Sequence, residues 1–126
     1  ASFAAKLADT FGSEIGKRYG GDTYLITTFR KVPPGTDGGI SLQGTIASVF
    51  GSLLMSFSMN ILLLGNSLIT FILIFICGLF STILESFIGA ILQKRIIWMS
   101  NEIVNMIQTN LSACLAILLY KMILKL

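Results

Sequence analysis

Residues Leu42–Gln93 read LQGTIASVFGSLLMSFSMNILLLGNSLITFILIFICGLFSTILESFIGAILQ, and the only charged side chain among them is Glu85. A helical bilayer crossing takes roughly 20 apolar residues. The stretch is therefore too long for one span and long enough for two. Gly65–Asn66 supplies the turn chemistry to divide it, giving spans at Leu42–Leu64 and Ser67–Gln93. A further block without charge, Ile103–Tyr120, makes another span that begins near Glu102. Ala1 to about Gly16 is helix-like but carries Lys6, Asp9 and Glu14, which makes it the weaker candidate. The predicted fold is all-α: a polytopic transmembrane helical bundle of three to four spans, with a Gly/Pro-rich polar loop over residues 17–41 on one face. Within that loop Thr23–Phe29 (TYLITTF) has the β-branched and aromatic character of a strand. A lone strand at a membrane surface has nothing to pair with, so it is read as coil.

Composition agrees with the span reading. Of 126 residues, 54% are hydrophobic and 12% charged, with a mean hydropathy of +0.84. Soluble domains carry roughly 25% charged residues, and half that fraction leaves too little polar surface to face water. The net charge of +3 is modest, and no basic run alternates with aromatics, so nucleic-acid binding has no support. Cys77 and Cys114 both fall in apolar spans and read as packing residues rather than a disulfide. There is no His, which removes the commonest general base and zinc ligand. Chemistry is left to carboxylates, Lys and Arg, hydroxyls, amides and the backbone. The chain starts at Ala1 and its first segment has no basic leader. Residues 1–126 are read as a single membrane-embedded domain, the C-terminal part of a longer chain.

Span alternation puts loop 17–41, Lys94 and Arg95 on one side of the membrane, and the Gly65–Asn66 turn, Lys121 and Lys125 on the other. Lys17, Arg18, Arg30 and Lys31 join the first side, which the positive-inside tendency makes cytoplasmic, or its organellar equivalent.

The few charged and amide side chains gather toward that side. Asp9 and Ser13, and Thr10 and Glu14, are spaced i, i+4 and form adjacent polar faces. Glu85, Gly89 and Gln93 share a face, and Asn101, Asn105, Gln108 and Ser112 form a polar stripe on the last helix. A carboxylate at the centre of a membrane helix costs about 2.5–3.5 kcal/mol on insertion scales, so Asp9, Glu14 and Glu85 need partners. Magnesium, held by one or two carboxylates and substrate phosphates, is one solution. Ordinary ion pairs, Asp9 with Lys6 and Glu85 with Lys94 or Arg95, are the other. The loop segment Val32-Pro33-Pro34-Gly35-Thr36-Asp37-Gly38-Gly39-Ile40-Ser41 joins rigid turns to glycines and runs into a helix N-terminus, where unpaired N–H groups and the helix dipole favour phosphate. Lys17, Arg30 and Lys31 add positive charge. The plain alternative is a turn with Ser41 as helix cap. Gly12–Lys17 (GSEIGK) lacks the Walker A spacing.

Several of these motifs together resemble a known family. They are Ala8-Asp9-Thr10, Ser13-Glu14-Ile15-Gly16-Lys17, Leu25-Ile26-Thr27-Thr28-Phe29, Val32-Pro33-Pro34-Gly35-Thr36, Gly38-Gly39, Ser41 and Gly44-Thr45, followed by Glu85-Ser86, Gly89-Ala90, Gln93 and Asn101-Glu102 with Val104-Asn105. The chain resembles the integral-membrane family that includes the plant phytyl-phosphate kinase of vitamin E synthesis, over its C-terminal half. It is distantly similar to CTP-dependent polyprenol kinases and phosphatidate cytidylyltransferases. The resemblance implies a kinase converting an isoprenyl monophosphate to its diphosphate, with a nucleoside triphosphate, CTP foremost, as donor. It implies catalytic and magnesium-binding roles for Asp9, Glu14 and Glu85. Nucleotide or phosphate binding would fall to Ser13, Lys17, Gly35, Thr36, Gly38, Gly39, Ser41, Gln93 and Asn105. Many members carry Asp where this chain has Glu85, and Lys6 is a charge without an assigned role. The expected partners are an isoprenyl phosphate lipid, the nucleotide and membrane lipid. A plastid envelope location is expected for a photosynthetic eukaryote. The rival readings are a cytidylyltransferase-like enzyme that releases pyrophosphate, a transporter, and a non-catalytic membrane protein.

Overall fold

The computed structural model describes residues 1–63, 67–93 and 95–124. The turn expected at Gly65–Asn66, and Lys94 and Lys125 of the charge count, lie outside them. The elements run α1 (Ser2–Tyr19), β1 (Thr23–Leu25), β2 (Lys31–Val32), β3 (Gly39–Ser41), α2 (Leu42–Leu63), α3 (Leu68–Ile88) and α4 (Asn101–Leu124). A π-helical turn, Gly89–Gln93, extends α3. Among the described residues, α2, α3 with its π turn, and α4 are long and apolar enough to cross a membrane. The protein is the helical membrane bundle that its apolar blocks predict.

Serine hydroxyls start the three apolar helices. Ser41 Oγ accepts from the Gly44 N–H at 3.1 Å, Ser67 Oγ from the Thr70 N–H at 3.4 Å, and Ser100 Oγ from the Ile103 N–H at 3.4 Å. Each hydroxyl satisfies an amide that the helix itself leaves open.

α1 is the hub of the bundle. Ala4, Ala5 and Ala8 are fully buried, and the helix packs against α2, α3 and α4. The reason is a run of small residues, Ala4, Ala8, Gly12, Gly16 and Gly20, one every four positions, which keeps one helix face flat. Antiparallel to it, α2 presents Ser41, Gly44, Ser48 and Gly51. A methyl on Gly51 would stand 2.8 Å from the Leu7 carbonyl oxygen, and one on Gly44 would stand 2.9 Å from that of Gly12. On the neighbouring seam a methyl on Gly78 would lie 3.0 Å from Ala4 Cβ and 2.7 Å from Ser52 Oγ. Lipid tails give no hydrophobic drive between helices, so close backbone approach and interhelical hydrogen bonds hold such a bundle. Ser52 Oγ donates to the Phe75 carbonyl at 3.0 Å, and Ser2 Oγ to that of Thr109 at 2.7 Å. Gln108 Nε2 donates to Thr82 Oγ1 at 3.1 Å and to the Ala5 carbonyl at 3.3 Å, joining α1, α3 and α4. Such bonds contribute about 0.6 kcal/mol each on average.

The loop corrects one expectation. Thr23–Leu25 is not coil but the central strand of a three-stranded antiparallel sheet in the order β2-β1-β3. Thr23 pairs with Val32 on one side and Ser41 on the other, and Tyr24 with Lys31 and Ile40. An isolated strand is indeed unstable, but here the chain turns back twice to supply both partners. The second partner is continuous with α2, so the sheet is fastened to the bundle.

Candidate functional site

Two successive turns shape the loop. Thr36 donates its N–H at 3.3 Å and its hydroxyl at 2.7 Å to the Pro33 carbonyl, and the Gly39 N–H donates to the Thr36 carbonyl at 2.8 Å. The third positions, Gly35 and Gly38, have φ of +86° and +73°, as turns of this handedness require. The Thr36 and Gly39 amides are thus committed to the turns, so the loop offers fewer open N–H groups than its glycines suggest. Gly38 is carried onto the π turn, where a methyl would fall on Ala90. The π turn is a local widening of a kind often found beside functional sites.

Under the loop lies a cavity of about 500 Å³, within the size range of ligand sites. α1 lines it with Asp9, Gly12, Ser13, Gly16 and Lys17, and the sheet and loop with Thr23, Ile26 and residues 35–41. The start of α2 contributes Gly44, Thr45, Ser48 and Val49. α3 adds Leu79, Thr82, Ile83, Glu85 and Ser86, and α4 adds Asn101. The cavity is polar beneath the loop and apolar where α2 meets α3.

Its charges are unequal in sign. Asp9, Asp37 and Glu85 line it against one cation, Lys17. Lys6 Nζ donates to Asp9 Oδ2 at 3.1 Å and to Asn105 Oδ1 at 3.0 Å, so the unassigned charge on α1 clamps a cavity carboxylate to α4. Lys17 Nζ lies 3.6 Å from Glu14 Oε1, both side chains being more than half exposed. The stem of Lys17 passes over Gly35, with Cγ 3.4 Å from where a Cβ would stand. Among the described residues Glu85 has no ion-pair partner. At the sheet's outer edge Lys31 pairs with Asp22, whose carboxylate accepts its hydrogen bond and raises the ammonium pKa. Thr23 is 3% exposed, and its Oγ1 has no hydrogen-bond partner among the described residues.

Asp9, Ser13, Lys17, Gly35, Thr36, Gly38, Gly39, Ser41 and Glu85, named from the sequence, all reach this cavity. Glu14, Gln93 and Asn105 do not line it. Glu14 points to the exposed side of α1. The Gln93 side chain lies over Gly89, its Oε1 2.8 Å from where a Cβ would stand, and Asn105 works through Lys6. Asp37, Thr23, Ser48 and Ser86 also line the cavity, without a role predicted from the sequence. Asp37 sits inside the quoted loop motif, between Thr36 and Gly38, and that position was its signal. The flat side of Gly12 and Gly16 was visible only as their four-residue spacing. Among the described residues no three acidic, His or Cys side chains converge as a ready-made metal site. The donors that line the cavity are oxygens, which suits magnesium held by one or two carboxylates and completed by substrate phosphate.

Bundle and cavity together define an integral membrane protein with a covered polar site at one end of its spans. The chain belongs to the integral membrane protein family DUF92, whose model matches residues 1–113, in accord with the resemblance its motifs carry. It is 43% identical to protein VTE6, chloroplastic, of Arabidopsis thaliana, over 98% of this chain and 38% of that protein. It is 42% identical to an uncharacterized membrane protein of Synechocystis, over 93% of this chain and 45% of the other. An uncharacterized membrane protein of Methanocaldococcus jannaschii is 37% identical, over 94% and 49% respectively. The chain thus spans less than half the length of these relatives. No solved structure matches it.

Proposed function

We propose that this chain forms the catalytic face of a membrane-bound kinase that phosphorylates an isoprenyl monophosphate, phytyl phosphate foremost, from a nucleoside triphosphate, with CTP the expected donor. The observation that carries the reading is the cavity itself. Carboxylates, hydroxyls and one lysine meet an apolar wall between two spans, so a soluble nucleotide and a greasy phosphate can share it. Family membership supports the same reading, and a plastid membrane is the proposed location in plants.

An oxygen of the acceptor monophosphate attacks the γ-phosphorus of the donor. The bond from that phosphorus to the β–γ bridging oxygen breaks, leaving isoprenyl diphosphate and a nucleoside diphosphate. The acceptor is already ionised near neutral pH, so no strong base is needed, and positioning with charge neutralisation supplies the rate. Lys17 holds donor phosphates, with the Ser13, Thr36 and Ser41 hydroxyls beside it and the positive end of α2 facing them. Asp9 and Glu85 would hold magnesium, with substrate phosphate completing its ligands and Asp37 nearby in the cavity lining. When bound, magnesium neutralises phosphate charge that three carboxylates would otherwise repel. Gly38 and Gly39 keep the loop low over the site.

The test is purified full-length protein with phytyl phosphate, CTP and magnesium, the products being separated by mass. One added phosphate is expected. A cytidine monophosphate adduct with pyrophosphate release would make it a cytidylyltransferase instead. No product with any nucleotide, from folded protein, would remove both readings.

A further inference from the structure

Next along α2 from the cavity under the loop lies an apolar groove that the chemistry at the cavity's polar end does not use. Val49 and Leu79 form the cavity's apolar wall where α2 meets α3. From Val49, Leu53 and Phe57 follow at four-residue intervals along α2, each step advancing about 6 Å. They lead to a second cavity of about 240 Å³, lined only by Phe50, Leu53, Leu54, Phe57 and Phe71. All the α2 members of this track are substantially exposed. Its floor is fixed, because the Ser52 hydroxyl bonds the Phe75 carbonyl and Gly78 lets α3 close on Ser52 and Ala4. Phe71 is stacked on Phe75, centroids 6.4 Å apart and planes within 3°, so one wall is a firm aromatic face.

We propose that the α2–α3 groove from Val49 to Phe57 is the binding site for the single long hydrocarbon chain of a lipid phosphate whose head group occupies the polar cavity. The proposal rests on the phosphate-transfer reading for the nature of the head group. The occupant follows from adjacency: the polar cavity and the apolar groove meet at neighbouring residues of α2, Val49 lining the first and Phe50 the second, and the groove then follows α2 along its apolar length. A molecule with one anionic end and one hydrocarbon chain satisfies both at once. Bulk lipid would fill the groove without reference to the cavity, and this difference makes the proposal testable.

Full-length protein in nanodiscs is photolabelled with a long-chain alkyl phosphate bearing a diazirine near its chain end, and the adducts are mapped by mass spectrometry. Labels on Leu53, Phe57 and Phe71, lost when phytyl phosphate competes, are expected. Equal labelling by the same chain without its phosphate, or labelling that competitor does not reduce, identifies bulk lipid and overturns the proposal. So does labelling centred on the outer face of α4. This readout needs no turnover, so it fails or succeeds separately from the kinase assay. In active protein, Leu53→Trp should lower the preference for phytyl phosphate over dimethylallyl phosphate about tenfold or more, the scale at which apolar pockets discriminate. An unchanged preference also overturns the groove.

Discussion

Gly38 rests on Ala90, and the contact leaves room for no side chain at residue 38. The loop and the end of α3 meet through this pair, so the roof of the cavity is held by the absence of one carbon atom. The φ of +73° at Gly38 adds a second demand, since L residues pay about 1–2 kcal/mol in left-handed conformations. Gly38→Ala should therefore lower the melting temperature in detergent and turnover together. Gly21→Ala is the control: its φ is +55°, but the nearest atom to its added methyl is Gln43 Nε2 at 3.8 Å. It carries the backbone strain without the collision. The excess loss in Gly38→Ala measures the Ala90 contact, and Ala90→Gly should recover part of it. Equal losses at the two glycines would mean that the loop does not bear on α3.

Lys6 ties its own helix to α4, holding Asp9 of α1 and Asn105 of α4 at once. The pair with Asp9 is partly exposed, and such pairs contribute at most about 1 kcal/mol to stability. Its role in the proposed site is to fix one carboxylate oxygen. Lys6→Met should leave the melting temperature nearly unchanged and reduce kcat on the order of ten- to a hundredfold, the scale of a misplaced group. Lys6→Arg should restore part of it. A stability loss without a kcat effect would make the clamp purely structural.

The carboxylates should separate by position. Glu85→Gln and Asp37→Asn each remove a charge that lines the cavity, and kcat should fall by roughly a hundredfold or more for the first. Asp37→Asn should raise the magnesium concentration needed for half-maximal rate, and chelation should stop turnover in every active variant. Glu14→Gln removes only an exposed partner of Lys17. Its effect on stability should stay below about 1 kcal/mol, with turnover retained. Loss of turnover in Glu14→Gln would return that residue to the site its family resemblance implies.

The α1–α2 seam predicts a ranking. A methyl on Gly51 meets the Leu7 carbonyl, a backbone atom that cannot rotate away. On Gly12 the nearest obstacle is the Ser48 hydroxyl, which can. Gly51→Ala should cost about 1–3 kcal/mol, as overpacking does, and Gly12→Ala clearly less. Thermal melts in one detergent check the order. Ser48→Gly should rescue Gly12→Ala and do nothing for Gly51→Ala.

Where sequence reading succeeded and failed follows the range of the interactions involved. The spans were legible because each depends only on its own run of residues: Leu42–Gln93 admits one charge, and lipid accepts nothing else. The loop's turns were legible in Pro33-Pro34-Gly35 and Gly38-Gly39, since φ preferences are local. Asp9 and Glu85 stood out because charge in an apolar helix needs a reason. Thr23–Leu25 was missed because a strand exists only when distant residues pair with it, and Val32 and Ser41 do. Glu14 lies outside the cavity lining and Asp37 within it for a similar reason. The helical phase turns Glu14 outward, and only the folded turns bring Asp37 in.

The sequence by itself determined the membrane and the runs of residues that form its long apolar helices, because solvation is a property of each segment. Only the tertiary structure decided that the least apolar helix, α1, stands at the centre. A flat face of Ala4, Ala8, Gly12 and Gly16 has value only when another backbone comes to meet it, and that meeting is what encloses Asp9 and Glu85 in one cavity.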